Sequence, residues 1–405
     1  MNEAQHTAVR RSVGSAFTTN SLLDYEESIN TTLAELVQAL DQDSRQSSEG
    51  KINMTHWMQL FAIDVLMRIA FSESLGFMQK GKDVDGVLGA IVARFDHWGH
   101  WAAVPGLDYA LNKSKWSSIL TSFWRKLTSP SGSSPPTSSP LASVSMSRMQ
   151  DRAKIRASNE KEKDISQEQN DLLDKFLRGQ AAHSSLLSQD GVLGIIMSTI
   201  GAGADTTGGT LTYTLYLLAK YPHTKEKLYS ELRDALDKGI ISSSNPDSDS
   251  PELKWTDVNT KLPYLDAVLK ESMRVIPISA WGLDRVVPAQ GATIAGRYFP
   301  PGTVVGCQID AVHLDKTVFG DDADQFRPER WLEGEEDDQR RKAMARSFLA
   351  FSAGKRVCMG IHIAWLELKK TIPIIVKNFD VCIYSYSAPV YRYTGHGYTN
   401  SYVLI

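Results

Sequence analysis

The stretch Phe351–Gly360, FSAGKRVCMG, holds the residues of this chain best suited to chemistry. Cys358 lies between Gly354 and Gly360, with Arg356 two positions before it. A cysteine thiolate is an electron-rich ligand, and on a heme iron it pushes electron density toward a bound O–O bond. Gly354 and Gly360 let the backbone turn tightly and approach a flat macrocycle. Backbone N–H groups in such a turn can point at the sulfur and tune the iron's potential. Arg356 presents a fork of donors that suits a propionate carboxylate, and Phe351 is expected to pack beneath the ring. The next segment, IHIAWLELKKTI, reads as a helix, which sets the sulfur near a helix N-terminus. A buried, inert thiol beside a glycine turn is the alternative for a cysteine taken alone.

A second stretch, AGADTT at Ala202–Thr207, sits in the middle of an apolar run from Leu193 to Pro222. Three readings compete. A dinucleotide loop lacks its third glycine, since Thr206 stands there, and no βαβ context follows. A membrane span over Val192–Ala219 would bury Asp205 among many Gly and Thr residues, so a buried core helix fits better. The third reading is an oxygen-handling helix. Its glycines admit a ring and a diatomic, and a Thr hydroxyl bonds back one turn to open a local groove. A third constellation places Glu271 and Arg274 three apart on one helix, with FRPERW supplying Arg330 later.

The elements that must position these residues follow from the rest of the chain. Its 405 residues are enough for a large core, and the net charge of -3 gives no sign of a nucleic-acid binder. Cys307, Cys358 and Cys382 are too widely spaced for a zinc site or a disulfide framework, which points to reducing surroundings. Apolar periodicity predicts helices over 4–18, 21–41, 53–71 and 86–127, with Trp98, Trp101, Trp116 and Trp124 as packing anchors. His6 and Arg10 share a face of the first helix. The Ser/Pro-rich stretch Thr128–Pro140 and a polar stretch near residue 245 read as surface loops. Residues 278 to 315 carry the Gly/Pro turns and β-branched runs of short strands and hairpins. The first residues, MNEAQHTAVRRSVGSAF, contain no apolar signal or anchor segment.

The complete pattern F-x-x-G-x-R-x-C-x-G, with AGADTT, E-x-x-R and PERW in that order, resembles the cytochrome P-450 family. GTVVG, HLD and VFGDDADQFRPERWL resemble its fungal pisatin-demethylase-like branch most. The resemblance implies a mainly α fold with small β-sheets, forming a single heme domain over residues 1–405. It implies heme b ligated by Cys358, with Phe351, Gly354, Arg356 and Gly360 around the ring. Ala202 would line the cofactor's other face, Thr206 would face dioxygen, and Asp205 would feed it protons. His6, Arg10 and Arg285 would reach the propionates. Glu271, Arg274 and Arg330 would form a buried structural network, and Ile278–Gly282, including Trp281, would line the substrate cavity.

The implied reaction is monooxygenation of an apolar small molecule in fungal secondary or xenobiotic metabolism. O2 is the co-substrate, and an NADPH-dependent flavoprotein reductase supplies electrons. Arg10, Arg11, Lys355, Lys369 and Lys370 are the expected basic docking face. A non-catalytic heme-binding fragment, or an isomerase or dehydratase needing no reductase, are the alternatives; Asp205 with Thr206 argues against the isomerase. The family usually lies on the cytosolic face of the endoplasmic-reticulum membrane. In this chain any membrane contact would rest on the helices over the site and the Ser/Pro loop. Set beside the family, the chain starts at the third long helix, so about a hundred residues are expected to be missing before it. That loss would cost a strand near Thr303–Ile309 one neighbour and open the substrate cavity to water, with poor heme binding and little or no turnover.

Overall fold

The computed structural model describes residues 3–46, 51–102, 104–110, 114, 139–162, 170–242, 253–280, 284–333, 338–383 and 402–404. Trp116, Trp124, Trp281, Gly282 and most of the Ser/Pro-rich and residue-245 stretches lie outside them. The longer helices are α1 (Glu3–Val13), α2 (Leu22–Gln46), α3 (Met54–Phe71), α4 (Val87–Ala102), α5 (Pro140–Glu162), α6 (Leu172–Ala182), α7 (Gln189–Lys220), α8 (Pro222–Asp237), α9 (Pro263–Val275) and α10 (Ile361–Asn378). The strands are short: β1 (Arg285–Val286) pairs antiparallel with β4 (Val304–Val305), and β2 (Ala292–Ile294) with β3 (Arg297–Phe299). β5 (Asp380–Cys382) pairs in parallel with β6 (Tyr402–Leu404). The fold is therefore mainly α with small sheets, as the sequence predicts. No helix among the described residues is long and apolar enough to cross a membrane.

Helix α7 is the axis of the core. It starts on Ser188, whose hydroxyl accepts the Gly191 N–H at 3.1 Å, and it stops where Pro222 opens α8. Ile196, Ile200, Ala204, Leu211 and Leu215 are fully buried along it. Its closest neighbour is α3, buried on nearly every face. A Cβ at Gly208 would lie 3.0 Å from the Met58 carbonyl oxygen, so a glycine there lets the two backbones approach. Helix α10 is buried almost throughout from Leu366 to Val376 and packs on α7, α8 and α9. The predicted helix boundaries hold to within a few residues for α1 to α3, although the first helix tightens into a 3-10 turn at Gly14–Phe17.

Candidate active site

Cys358 sits between a 3-10 turn, Gly354–Arg356, and the first residue of α10. Gly354 adopts φ +68°, a conformation that strains any residue with a Cβ, and this starts the turn. The Cys358 N–H donates to the Phe351 carbonyl at 2.9 Å, closing the loop on itself. Cys358 is exposed, yet the protein around it desolvates the thiol and pushes its pKa up. The N–H groups of Gly360 and Ile361 donate to the sulfur, and with the charge of Arg10 they oppose that rise. The Phe351 ring lies 5.9 Å from that of Trp365 on α10.

Helix α1 clasps this loop. Arg10 Nη1 donates to the Val357 carbonyl at 2.7 Å, and Arg356 donates from Nε and Nη2 to Glu3 Oε1 at 3.0 and 2.6 Å. His6 is on the same helix, and its Nδ1 is buried without a hydrogen-bond partner. Arg285 is half-buried at the start of β1 and donates to the Asp284 carbonyl at 3.0 Å.

On α7 the Thr206 hydroxyl donates to the Ala202 carbonyl at 2.7 Å, the back-bond that its place one turn later predicts. Thr210 repeats the pattern on the Thr206 carbonyl at 2.8 Å. Ala202 is exposed, while Asp205 and Thr206 are half-buried. Burial first, and the nearby Asp96 of α4 second, hold the Asp205 carboxyl above the usual carboxylate range. Ile278 lies against this helix, its Cδ1 2.5 Å from where a Cβ on Gly209 would stand.

Glu271, Arg274 and Arg330 are brought together. Glu271 Oε1 accepts from Arg274 Nη2 and Arg330 Nε, both at 2.8 Å, and from the Arg327 N–H at 2.9 Å. Its Oε2 accepts from Arg274 Nε at 2.9 Å and Trp331 Nε1 at 2.8 Å. Glu271 and Arg274 are 0% exposed and Arg330 is 3% exposed, so this is not the solvated surface pair that an isolated Glu–Arg spacing suggests.

One expectation is corrected. Lys369 and Lys370 do not join a basic face: they are 4% and 1% exposed. Lys369 pairs with Asp266 at 2.8 Å and Lys370 with Glu26 at 2.5 Å. Sequence reasoning also passed over two buried ionisable groups. His313 is fully buried, and desolvation lowers its pKa to about 4. Glu367 is buried with Oε2 unpartnered, and burial holds its carboxyl well above the usual range. The signal for Glu367 was an ionisable residue inside an apolar run, a pattern that a solvated helix face also produces, while His313, between Asp310 and Asp315, carries no such signal.

The donor set fits a heme rather than a bare ion. Among the described residues no group of three His, Cys, Asp or Glu side chains could hold a metal by itself. Cys358 offers one soft ligand with two N–H groups on its sulfur, so the iron's other ligands must come with the cofactor. The unpartnered His6 Nδ1 and the guanidinium of Arg10 stand on the adjoining helix as polar partners for an anionic group.

The loop, the α7 back-bond and the buried Glu–Arg–Arg network together define a heme-thiolate class of protein. The family model for cytochrome P-450 matches residues 1–397. A cytochrome P-450 monooxygenase of Aspergillus terreus is 33% identical over 94% of this chain and 72% of its own length. Cytochrome P-450 monooxygenase mfmA of Annulohypoxylon moriforme is 32% identical over 94% of this chain and 69% of its own. Pisatin demethylase of Fusarium vanettenii is 33% identical over 94% and 67%. The chain belongs to the cytochrome P-450 family, with fungal monooxygenases among its relatives. That family is a family of oxidoreductases that bind heme through a cysteine thiolate and use O2 and a redox partner.

Proposed function

We propose that this protein is a monooxygenase that inserts one oxygen atom from O2 into an apolar small molecule of fungal secondary or xenobiotic metabolism, with Cys358 as the protein ligand of heme b. The observation that carries this reading is the loop that presents Cys358 at the start of α10, turned by Gly354 at φ +68° and closed by the Cys358 N–H on the Phe351 carbonyl at 2.9 Å. When bound, the heme supplies the reduction of O2 and oxygen transfer, one atom going to substrate and one to water.

The remaining roles belong to the chain. Gly360, Ile361 and Arg10 favour the thiolate over the thiol. Thr206 spends its O–H on Ala202 and keeps acceptor capacity; rotation of the hydroxyl makes it a donor. Asp205, with its pKa raised, carries a proton closer to neutral pH than an ordinary carboxyl and passes it toward Thr206. His6, Arg10, Arg285 and Arg356 are the proposed propionate contacts, and the orphaned His6 Nδ1 supports that role best. Phe351, Gly354, Gly360 and Ala202 are the proposed ring contacts. Ile278, against Gly209, gives the substrate side an apolar wall. Electrons are assigned to an NADPH-dependent flavoprotein reductase, and the exposed Arg11 and Lys355 support a basic docking face.

The test combines spectroscopy with isotope labelling. The reduced carbon-monoxide complex should show the long-wavelength band of thiolate ligation, and product formed under ¹⁸O2 should carry one labelled atom. Cys358→Ser should lose both the band and oxygenation. Normal turnover by Cys358→Ser, or unlabelled product from the wild type, would overturn the reading.

A further inference from the structure

His313 is a buried side chain that bonds both to the Glu–Arg–Arg network and to the segment that opens the cysteine loop. It sits at the end of a short helix, Ile309–His313, with no exposure. Its ring stacks on Phe348, with centroids 5.7 Å apart and planes 10° apart, and its edge meets Phe319 at 6.2 Å. Nδ1 lies 3.1 Å from the Arg274 carbonyl oxygen, and Nε2 receives the Leu349 N–H at 2.8 Å. A carbonyl can only accept and an N–H can only donate, so these partners fix one neutral tautomer, with the proton on Nδ1. The clasp to α9 is reciprocal, because Arg274 Nη1 donates to the His313 carbonyl at 2.7 Å.

Leu349 begins the turn that leads to the thiol. Its carbonyl accepts the Ser352 N–H at 2.8 Å, with Ser352 at φ 60°, and the Phe351 carbonyl accepts the Cys358 N–H at 2.9 Å. A continuous series of hydrogen bonds and short backbone steps thus runs from Glu271 through Arg274, His313, Leu349 and Phe351 to Cys358. The Glu–Arg–Arg network itself, as described above, makes no side-chain bond to residues 349–360. We propose that His313 is a positioning residue that transmits the place of the Glu271–Arg274–Arg330 network to the Cys358 loop through the Leu349 N–H.

Neighbouring groups agree with this. Burial disfavours protonation of the ring most and the charge of Arg274 adds to this, while the bond to the Arg274 carbonyl and the charges of Asp310 and Glu271 favour it less strongly. A protonated ring would set an N–H against the Leu349 N–H, so the link exists only with the neutral ring.

The inference rests on Cys358 as iron ligand only for its functional consequence, and two readouts keep the parts separate. Hydrogen exchange on the heme-loaded protein reads the Leu349 amide directly. The reduced carbon-monoxide spectrum reads the fraction of iron with thiolate ligation. His313→Leu keeps the apolar bulk and removes both ring bonds. It should speed Leu349 exchange by about tenfold, the factor one net hydrogen bond supplies. It should also lower the thiolate fraction while α3 amides keep their protection. His313→Gln offers an oxygen to Leu349 and an N–H to Arg274, and should restore both readouts. If His313→Leu does not fold, replacing Leu349 by its α-hydroxy acid removes the same N–H with His313 intact, and should lower the thiolate fraction. Unchanged Leu349 exchange in His313→Leu would overturn the proposal. So would a uniform loss of protection across the molecule, no rescue by glutamine, or a normal thiolate fraction in the ester variant. A wild type without the thiolate band would instead strike the assignment of Cys358, while leaving the exchange result to stand.

Discussion

Thr206 and Asp205 are adjacent in sequence but differ in what surrounds them. The Thr206 hydroxyl is already committed to the Ala202 carbonyl at 2.7 Å, so its role depends on which way the O–H turns. Thr206→Ala removes the switch while leaving Cys358 and its loop alone. We expect NADPH consumption to continue with product falling by about tenfold or more and hydrogen peroxide rising, within the span of proton-delivery effects. Unchanged coupling of NADPH to product would remove Thr206 from the mechanism. Asp205 is tuned by burial and by Asp96. Asp96→Asn removes a like charge, which favours the Asp205 carboxylate and lowers its pKa. With Asp205 as proton carrier, the alkaline fall of turnover should then move to lower pH; a pH–rate profile measures this. The residues of both stretches were legible from type and spacing, because the Cys loop and the α7 back-bond are local in sequence. Asp96 was not, because only the packing of α4 on α7 brings it near.

Helices α9 and α10 show why charge is harder to read than periodicity. The spacing of Glu271 and Arg274 predicts a helical pair, and FRPERW supplies Arg330, yet only the fold makes the group dry. Glu271→Gln would leave the buried guanidinium of Arg274 without its counter-charge, while Arg330 keeps only Asp322. We expect a loss of roughly 3–5 kcal/mol, the range for breaking a buried ion pair by removing one partner. Urea unfolding measures it, and a change under about 1 kcal/mol would mean that the network contributes little to holding the fold together. Lys369 and Lys370 mislead in the opposite sense. In sequence they look like a solvated end of an amphipathic helix, but α10 has no solvated face at that depth. Their ammonium groups are buried against Asp266 and Glu26, which come from distant parts of the chain.

At the scale of the molecule, His313 sets a limit on acid stability. In the unfolded chain its pKa returns to 6.5, while in the folded protein it is about 4. Between those values the unfolded state binds the proton and the folded state does not, so stability falls as pH falls through that window. The full effect is roughly 3 kcal/mol, complete once pH is below about 4. His313→Gln should flatten this part of a stability–pH curve measured by denaturant unfolding. An unaltered slope between pH 6.5 and 4 would show that other groups govern it. The mainly helical architecture was legible because long apolar periodicities persist over several turns. The sheets were less so, since strands of two or three residues carry no pattern of their own.

The clasp between α1 and the cysteine loop has a consequence for how the protein comes into being. Arg10 reaches Val357 across 347 positions of chain, and Arg356 reaches Glu3 across 353. A ribosome therefore releases the first partner long before it has made the second. Throughout that interval α1 can pack on α6 but has no loop to hold, and Glu3 and Arg10 wait without these partners. Contacts so distant in sequence must pay the entropy of closing a very long loop before they return anything, which makes them late and slow. The pocket for the prosthetic group is thus among the last features to form, and capture of heme follows translation of the α10 region instead of accompanying the nascent α1.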